Sequence, residues 1–154
     1  MKKLFALFTA CFLILAVPLP VYAQQPEIIS TEIIPQADGG VLEITLTQDP
    51  VSTRATQTKS GTKTVSKKNA SGQVMWSASL KGTFTYDGKK ATCTSSSITV
   101  NIRATSWKLS SKSAGKTGNK ATGKVVMKQY YQGQATHTET QSITLSCSPS
   151  GALS

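Results

Sequence analysis

Apolar and polar residues alternate with a period of two along most of this chain. The clearest run covers residues 73–87. Val74, Trp76, Ala78, Leu80, Gly82, Phe84 and Tyr86 share one parity, and Ser77, Ser79, Lys81, Thr83 and Thr85 share the other, with Met75 the one apolar exception. That period belongs to a β-strand with one dry and one wet face, in an antiparallel sheet. At about 3.3 Å per residue the strand is long enough to expect a bend or bulge near Gly82. Asn69-Ala70-Ser71-Gly72 before it and Asp87-Gly88 after it are turn signals. The second predicts a hairpin with residues 89–96, because Asx-Gly pairs tolerate the positive φ of tight turns. Residues 63–68 are expected on the other side of the same strand.

Ile98, Val100 and Ile102 alternate with Thr99 and Asn101, and Trp107 and Leu109 form a short apolar pair. Residues 110–119, rich in Ser, Gly and Lys, read as a loop. Residues 121–131 read as a strand, Gln132-Gly133 as a turn, and residues 134–147 as a last long strand with Ile143, Leu145 and Cys147 inward. No window sustains a 3.6-residue apolar period, and Ser and Thr make up 35 of the 104 residues from Val51 on. Short strands at this spacing predict an all-β fold, an antiparallel β-sandwich. The order Cys93, Trp107, Cys147 loosely resembles immunoglobulin-like domains, although Leu145 stands where their Tyr is expected.

The two ends differ from this body. Lys2 and Lys3, the apolar run 4–17 and Val21-Tyr22-Ala23 have the form of a secretory signal peptide over residues 1–23. A lipid anchor at Cys11 would leave the apolar run 12–17 on the product, which disfavours it. The protein is therefore expected to be secreted, free or held at the cell surface, with no transmembrane segment after processing. Residues 24–58 form an acidic N-terminal segment and linker. It contains the near-repeat Glu27-Ile28-Ile29 and Glu32-Ile33-Ile34, the turn Asp38-Gly39-Gly40, and a strand pattern over residues 41–47. It is either a first strand or a removable pro-segment. Residues 59–154 are the basic sandwich domain.

With the signal removed, Cys93 and Cys147 remain, and an even count in an exported chain implies a disulfide. Such a bond would close a 54-residue loop and contribute about 4 kcal/mol; the alternative is two free buried thiols. Two cysteines and the lone His137 make no metal-ligand set, so no metal and no cofactor are expected.

Charge is uneven. Residues 24–50 hold five acids and no base, whereas from Val51 on there are 15 bases against only Asp87 and Glu139. Either the acidic segment masks a basic body or the body has an anionic partner. Lys108, Lys112, Lys116, Lys120, Lys124 and Lys128 recur at every fourth position. Even spacing on a strand keeps them on one face, so Lys120, Lys124 and Lys128 are expected to form a row, with Tyr130 continuing that face. That is a cationic stripe suited to an anionic cell-wall polymer or an anionic lipid surface. The plainer role is a solvated face whose lysines deter edge aggregation. Arginine is confined to Arg54 and Arg103, and lysine offers point charge rather than bidentate base reading, so nucleic acid is not an expected partner. His137 and Glu139, two apart on one strand face, could exchange a proton, but no nucleophile motif accompanies them. The chain is therefore not expected to be an enzyme.

Across residues 60–150 the chain resembles a group of uncharacterised small secreted proteins of Gram-positive bacteria. The stretches that carry the resemblance include Val74-Met75-Trp76-Ser77, Gly82-Thr83-Phe84-Thr85-Tyr86-Asp87-Gly88, Thr92-Cys93-Thr94, Trp107-Lys108-Leu109-Ser110-Ser111-Lys112-Ser113, Gly118-Asn119-Lys120-Ala121-Thr122 and Thr144-Leu145-Ser146-Cys147-Ser148. The resemblance implies no activity. A fainter similarity, in size, export, basicity and strand pattern, is to secreted β-sandwich bacteriocins. The expectation is thus an exported, non-enzymatic β-sandwich that binds anionic envelope polymer through its lysines. The alternative is a bacteriocin-like antimicrobial or signalling effector with an acidic pro-segment.

Overall fold

The computed structural model describes residues 25–50 and 57–154. The expected signal peptide and the stretch 51–56 lie outside them. Eight strands follow in order: β1 Glu27–Pro35, β2 Val41–Gln48, β3 Thr58–Lys68, β4 Val74–Tyr86, β5 Ala91–Ile102, β6 Trp107–Thr117, β7 Lys120–Tyr131 and β8 Gln134–Ser146. They form two antiparallel sheets, one of five strands in the order β1-β2-β3-β4-β5 and one of three in the order β6-β7-β8. No helix among the described residues is long and apolar enough to cross a membrane.

Each sheet is a simple meander, and the turns at Asn69, at Asp87 and at Gln132-Gly133 are local and chemically specified. Asn69 Oδ1 accepts from the N–H of Ser71 and Gln73 at 3.1 and 2.9 Å and closes β3–β4. Asp87 Oδ1 accepts from the N–H of Lys89 and Lys90 at 2.8 and 2.7 Å and closes β4–β5. Gln132 and Gly133 both have positive φ, 50° and 81°. That pair matches the two central residues of a primed hairpin turn, whose twist suits the strands. The chain leaves the first sheet where Arg103 and Ala104 donate to the carbonyl of Met75.

The alternation in β4 does what its pattern predicts. Trp76, Ala78, Leu80 and Phe84 are buried on one face, and a register irregularity falls at Thr83/Phe84, beside Gly82. Inward residues of both sheets join one cluster, with Leu42, Leu46, Val65, Trp76, Leu80 and Phe84 from the first and Trp107, Val125, Met127, Ile143 and Leu145 from the second. Small residues let the sheets close: a side chain at Gly123 would meet Ile98 Cδ1 at 2.8 Å and Leu80 Cδ1 at 3.1 Å. Residues 147–154 fold back, with Leu153 pairing with Cys147 and joining the core.

Two expectations are corrected. Residues 110–117, expected to be part of a loop over 110–119, belong to strand β6, Trp107–Thr117. Only Trp107 is buried in it, so it carries no alternation of its own and is held by pairing with β7. Cys93 and Cys147 are free, buried thiols, not a disulfide. Each is bound to the tip of the β6–β7 hairpin: Cys93 N–H donates to Gly118 O at 2.7 Å and Cys147 N–H to Asn119 O at 3.1 Å. Burial pushes both thiols up, with Lys116 opposing the shift at Cys93 and Lys59 at Cys147.

The segment 27–48 supplies β1 and β2. β2 pairs with β3 from Val41↔Lys68 to Gln48↔Gly61, and Leu42 and Leu46 are core residues. β1 is different: all nine of its residues are exposed.

Candidate anion-binding face

Cross-strand partners in a sheet point to the same side, so the register decides where each lysine goes. Lys108 pairs with Lys128, Ser113 with Lys124, and Thr117 with Lys120. These positions lie opposite in parity to the buried Ala121, Val125 and Met127 of β7. Lys108, Lys120, Lys124 and Lys128 therefore share the outer face of the three-stranded sheet. Lys112 and Lys116 do not. They pair with Val125 and Ala121, which point to the core. Their ammonium groups donate instead to carbonyls of β5, Lys112 Nζ to Ile98 O at 3.4 Å and Lys116 Nζ to Thr94 O.

The stripe of six is thus split into four and two. Two features divide it: the two-residue turn at Gly118-Asn119 pairs Thr117 with Lys120 and so puts Lys112 and Lys116 on the face opposite Lys120, Lys124 and Lys128, and the β6–β7 register shift between Leu109 and Ser111 returns Lys108 to the face of the β7 lysines. An extra residue in a strand reverses the side on which everything beyond it projects. Four-residue spacing keeps one face only on an unbroken strand.

Apart from Val126 and Tyr130, the outer face around these lysines is mostly hydroxyl. Opposite the β7 lysines, β8 presents Thr138 to Lys128, Ser142 to Lys124 and Ser146 to Lys120. Of the seven acids in the sequence, only Glu139 belongs to β6, β7 or β8. It pairs with the buried Met127 and so faces inward. The remaining acids act elsewhere. Three ion pairs of 2.7 Å join Lys67 to Asp38, Lys68 to Glu43 and Lys81 to Asp49. The acidic N-terminal strands therefore neutralise lysines of β3 and β4, and the lysines of the outer face have no carboxylate beside them among the described residues. Lys108 Nζ lies 4.8 Å from the centroid of the Tyr130 ring, which holds it over that end of the face. A shallow depression of about 360 Å³ runs beside Lys124, over Gly115, Thr122, Ser142 and Thr144.

His137 and Glu139 reach a second cleft of about 360 Å³, between β8 and the β1–β2 turn, with Asp38 and Lys67 on its other wall. No hydrogen bond joins them; each has another neighbour. The His137 ring stands edge-on to Trp107, centroids 6.1 Å apart. Glu139 Oε1 accepts from Gln141 Nε2 at 3.0 Å, while its Oε2 is buried without a partner. Lys67 is 5% exposed and is the one buried charged residue among the described residues; pattern reading missed it, because a lysine in a Lys/Thr-rich strand gives no sign of facing inward. Its ammonium, first, and the Gly40 N–H, second, hold the Asp38 carboxyl below its ordinary value of 3.8. Among the described residues no group of three or more His, Cys, Asp or Glu could hold a metal ion.

Compared with protein-family models, curated proteins and solved structures, the chain matches none.

Proposed function

We propose that this is an exported, non-enzymatic β-sandwich protein whose two sheets are the layers. It binds a phosphodiester-linked anionic polymer of the cell envelope through Lys108, Lys120, Lys124 and Lys128. One observation carries the reading: Lys108 and Lys128 stand directly opposite each other on a face without a carboxylate. Like charges directly opposite across two strands are destabilising. A negatively charged partner turns that cost into affinity. Lysine is also suited to a flexible chain of phosphates, since it acts as a mobile point charge and makes no demand for bidentate geometry. The flanking hydroxyls of Thr138, Ser142 and Ser146 can hydrogen-bond the polymer oxygens between charges.

The acidic segment stays with the protein in this reading, because its loss would strip Leu42 and Leu46 from the core and leave Lys67 without Asp38. The test compares two sets of substitutions for retention on cell walls and on poly(glycerol phosphate). Near an anionic surface each lysine is worth about 1 kcal/mol. Changing Lys108, Lys120, Lys124 and Lys128 to Gln should therefore weaken binding roughly a thousandfold at low salt. Changing Lys112 and Lys116 to Gln should leave it nearly unaltered. Equal retention of the four-lysine variant and the unmodified protein would overturn the reading.

A further inference from the structure

β8 is an edge of the three-stranded sheet, and the turn between β1 and β2 comes up to it from the other sheet. The cleft between them, about 360 Å³, has the size of a small-molecule site. Four ionisable side chains line it: Asp38, Lys67, His137 and Glu139. Asp38 and Lys67 cancel each other across 2.7 Å. Glu139 is left over, since it takes part in none of the ion pairs among the described residues. Its register opposite the buried Met127 turns it inward rather than out to the lysine face. Gln141 Nε2 donates to its Oε1 at 3.0 Å, whereas Oε2 is buried and receives no hydrogen bond. A buried carboxylate oxygen without a donor is costly, and a fold that keeps one beside a cleft leaves a place for a donor from outside.

We infer that this cleft binds a small polyhydroxylated primary amine, an amino sugar with a free ammonium group, whose N–H donates to Glu139 Oε2. The chemistry of the cleft narrows the ligand to that class. The charge left in it is negative, on a chain whose formal net charge is +10, so the ligand is a cation. A metal ion does not fit, because among the described residues no group of three or more His, Cys, Asp or Glu could hold one. A guanidinium does not fit either. Its fork binds both oxygens of a carboxylate, and Oε1 is already taken by Gln141. One free oxygen suits the point charge of an ammonium. The rest of the lining is Gln36, Thr138, Thr140 and Gln141, with Ala37 the one apolar side chain. Hydroxyl and amide groups of that kind pair with the hydroxyls of a sugar and give no seat to a hydrocarbon tail.

Titration of the chain from Gln24 on with glucosamine, followed by calorimetry and by the NMR signals of His137, the one histidine in the sequence, should saturate with a Kd on the order of 1 mM. N-Acetylglucosamine is the same sugar with its amine acylated and uncharged. It should bind at least roughly tenfold more weakly, because the charge-assisted hydrogen bond is lost. Glu139→Gln keeps the shape of the side chain and removes its charge, and should weaken glucosamine binding by a similar factor. Glu32→Gln, on β1 and outside the cleft, should not. Retention of Glu139→Gln on poly(glycerol phosphate) should equal that of the unmodified chain, so the cleft and the lysine face are tested separately. Equal responses to glucosamine and N-acetylglucosamine would overturn the inference, whether or not the variant folds. So would full glucosamine binding by Glu139→Gln. An absence of saturation up to about 100 mM would overturn it as well, since water alone would then serve Oε2.

Discussion

The outer faces of the two sheets are built from the same residues, Ser, Thr and Lys, yet they handle charge in opposite ways. On the five-stranded sheet, Lys68 meets Glu43 and Lys81 meets Asp49, both at 2.7 Å, and hydroxyls pair in rows such as Ser60 with Thr83 at 2.9 Å. On the outer face of the three-stranded sheet, Lys108 faces Lys128 and no acid is present, because Glu139 of β8 faces inward. Composition does not separate these faces; register and the position of the acids do. The acidic residues of the N-terminal strands reach as far as β3 and β4 and no further. A net positive charge that is neutralised on one sheet and concentrated on the other is a directional property, of the kind that orients a protein on a polyanion.

The contrast can be broken at several points. The largest effect should come from the core that both faces share. Trp76 is fully buried and lies against Trp107, ring centroids 6.1 Å apart. Trp76→Ala should cost about 3–5 kcal/mol by denaturant unfolding. Next is the neutralised side. Asp38→Asn leaves the buried Lys67 ammonium without its carboxylate. Because Asp38 is itself 59% exposed, the cost should be about 1–2 kcal/mol, below the roughly 3–5 of a fully buried pair. The pH dependence has a definite sign. The Asp38 carboxyl is held down in the folded state, so its contribution is complete above the ordinary value of 3.8 and is lost as pH falls through the lowered one. The Asn variant should lose that part of the acid limb in a melting-temperature profile.

Smaller changes sharpen the contrast within the lysines. Gln at Lys112 and Lys116 removes the bonds to β5 and should destabilise by about 1 kcal/mol in total while leaving polymer binding intact. Lys128→Thr should do the reverse. Relief of the repulsion with Lys108 should stabilise the fold by about 0.5 kcal/mol, and binding should weaken. Calorimetry and binding on the same two variants check both halves.

What the sequence disclosed follows from where its pattern reaches the core. β4 and the inward end of β8 were legible because alternate residues are buried against the opposite sheet. β6 was not: ten of its eleven residues are exposed, so its sequence carries no period and resembles a loop, and β7 next to it holds the information. The lysine spacing was visible, but its division was not, because reading residues 110–119 as a loop hid the turn at Gly118-Asn119 that separates Lys112 and Lys116 from the β7 lysines, and the bulge at Ser110 that returns Lys108 to them leaves no compositional mark. The cysteine pairing failed for a related reason. Counting gives a parity, whereas the backbone of Gly118 and Asn119, which binds both cysteines, is a tertiary feature. The acid–base asymmetry was fully visible, and only the register of β2, β3 and β4 tells which lysines it neutralises.

The most direct measurement is the salt dependence of binding to poly(glycerol phosphate) for three proteins: the unmodified chain, the Lys108, Lys120, Lys124 and Lys128 to Gln variant, and the Lys112 and Lys116 to Gln variant. The first and third should show the same steep fall in affinity with salt, and the second a weak affinity nearly independent of salt. Equal slopes for all three proteins would contradict the account, because the charge that meets the polymer would then lie elsewhere on the molecule.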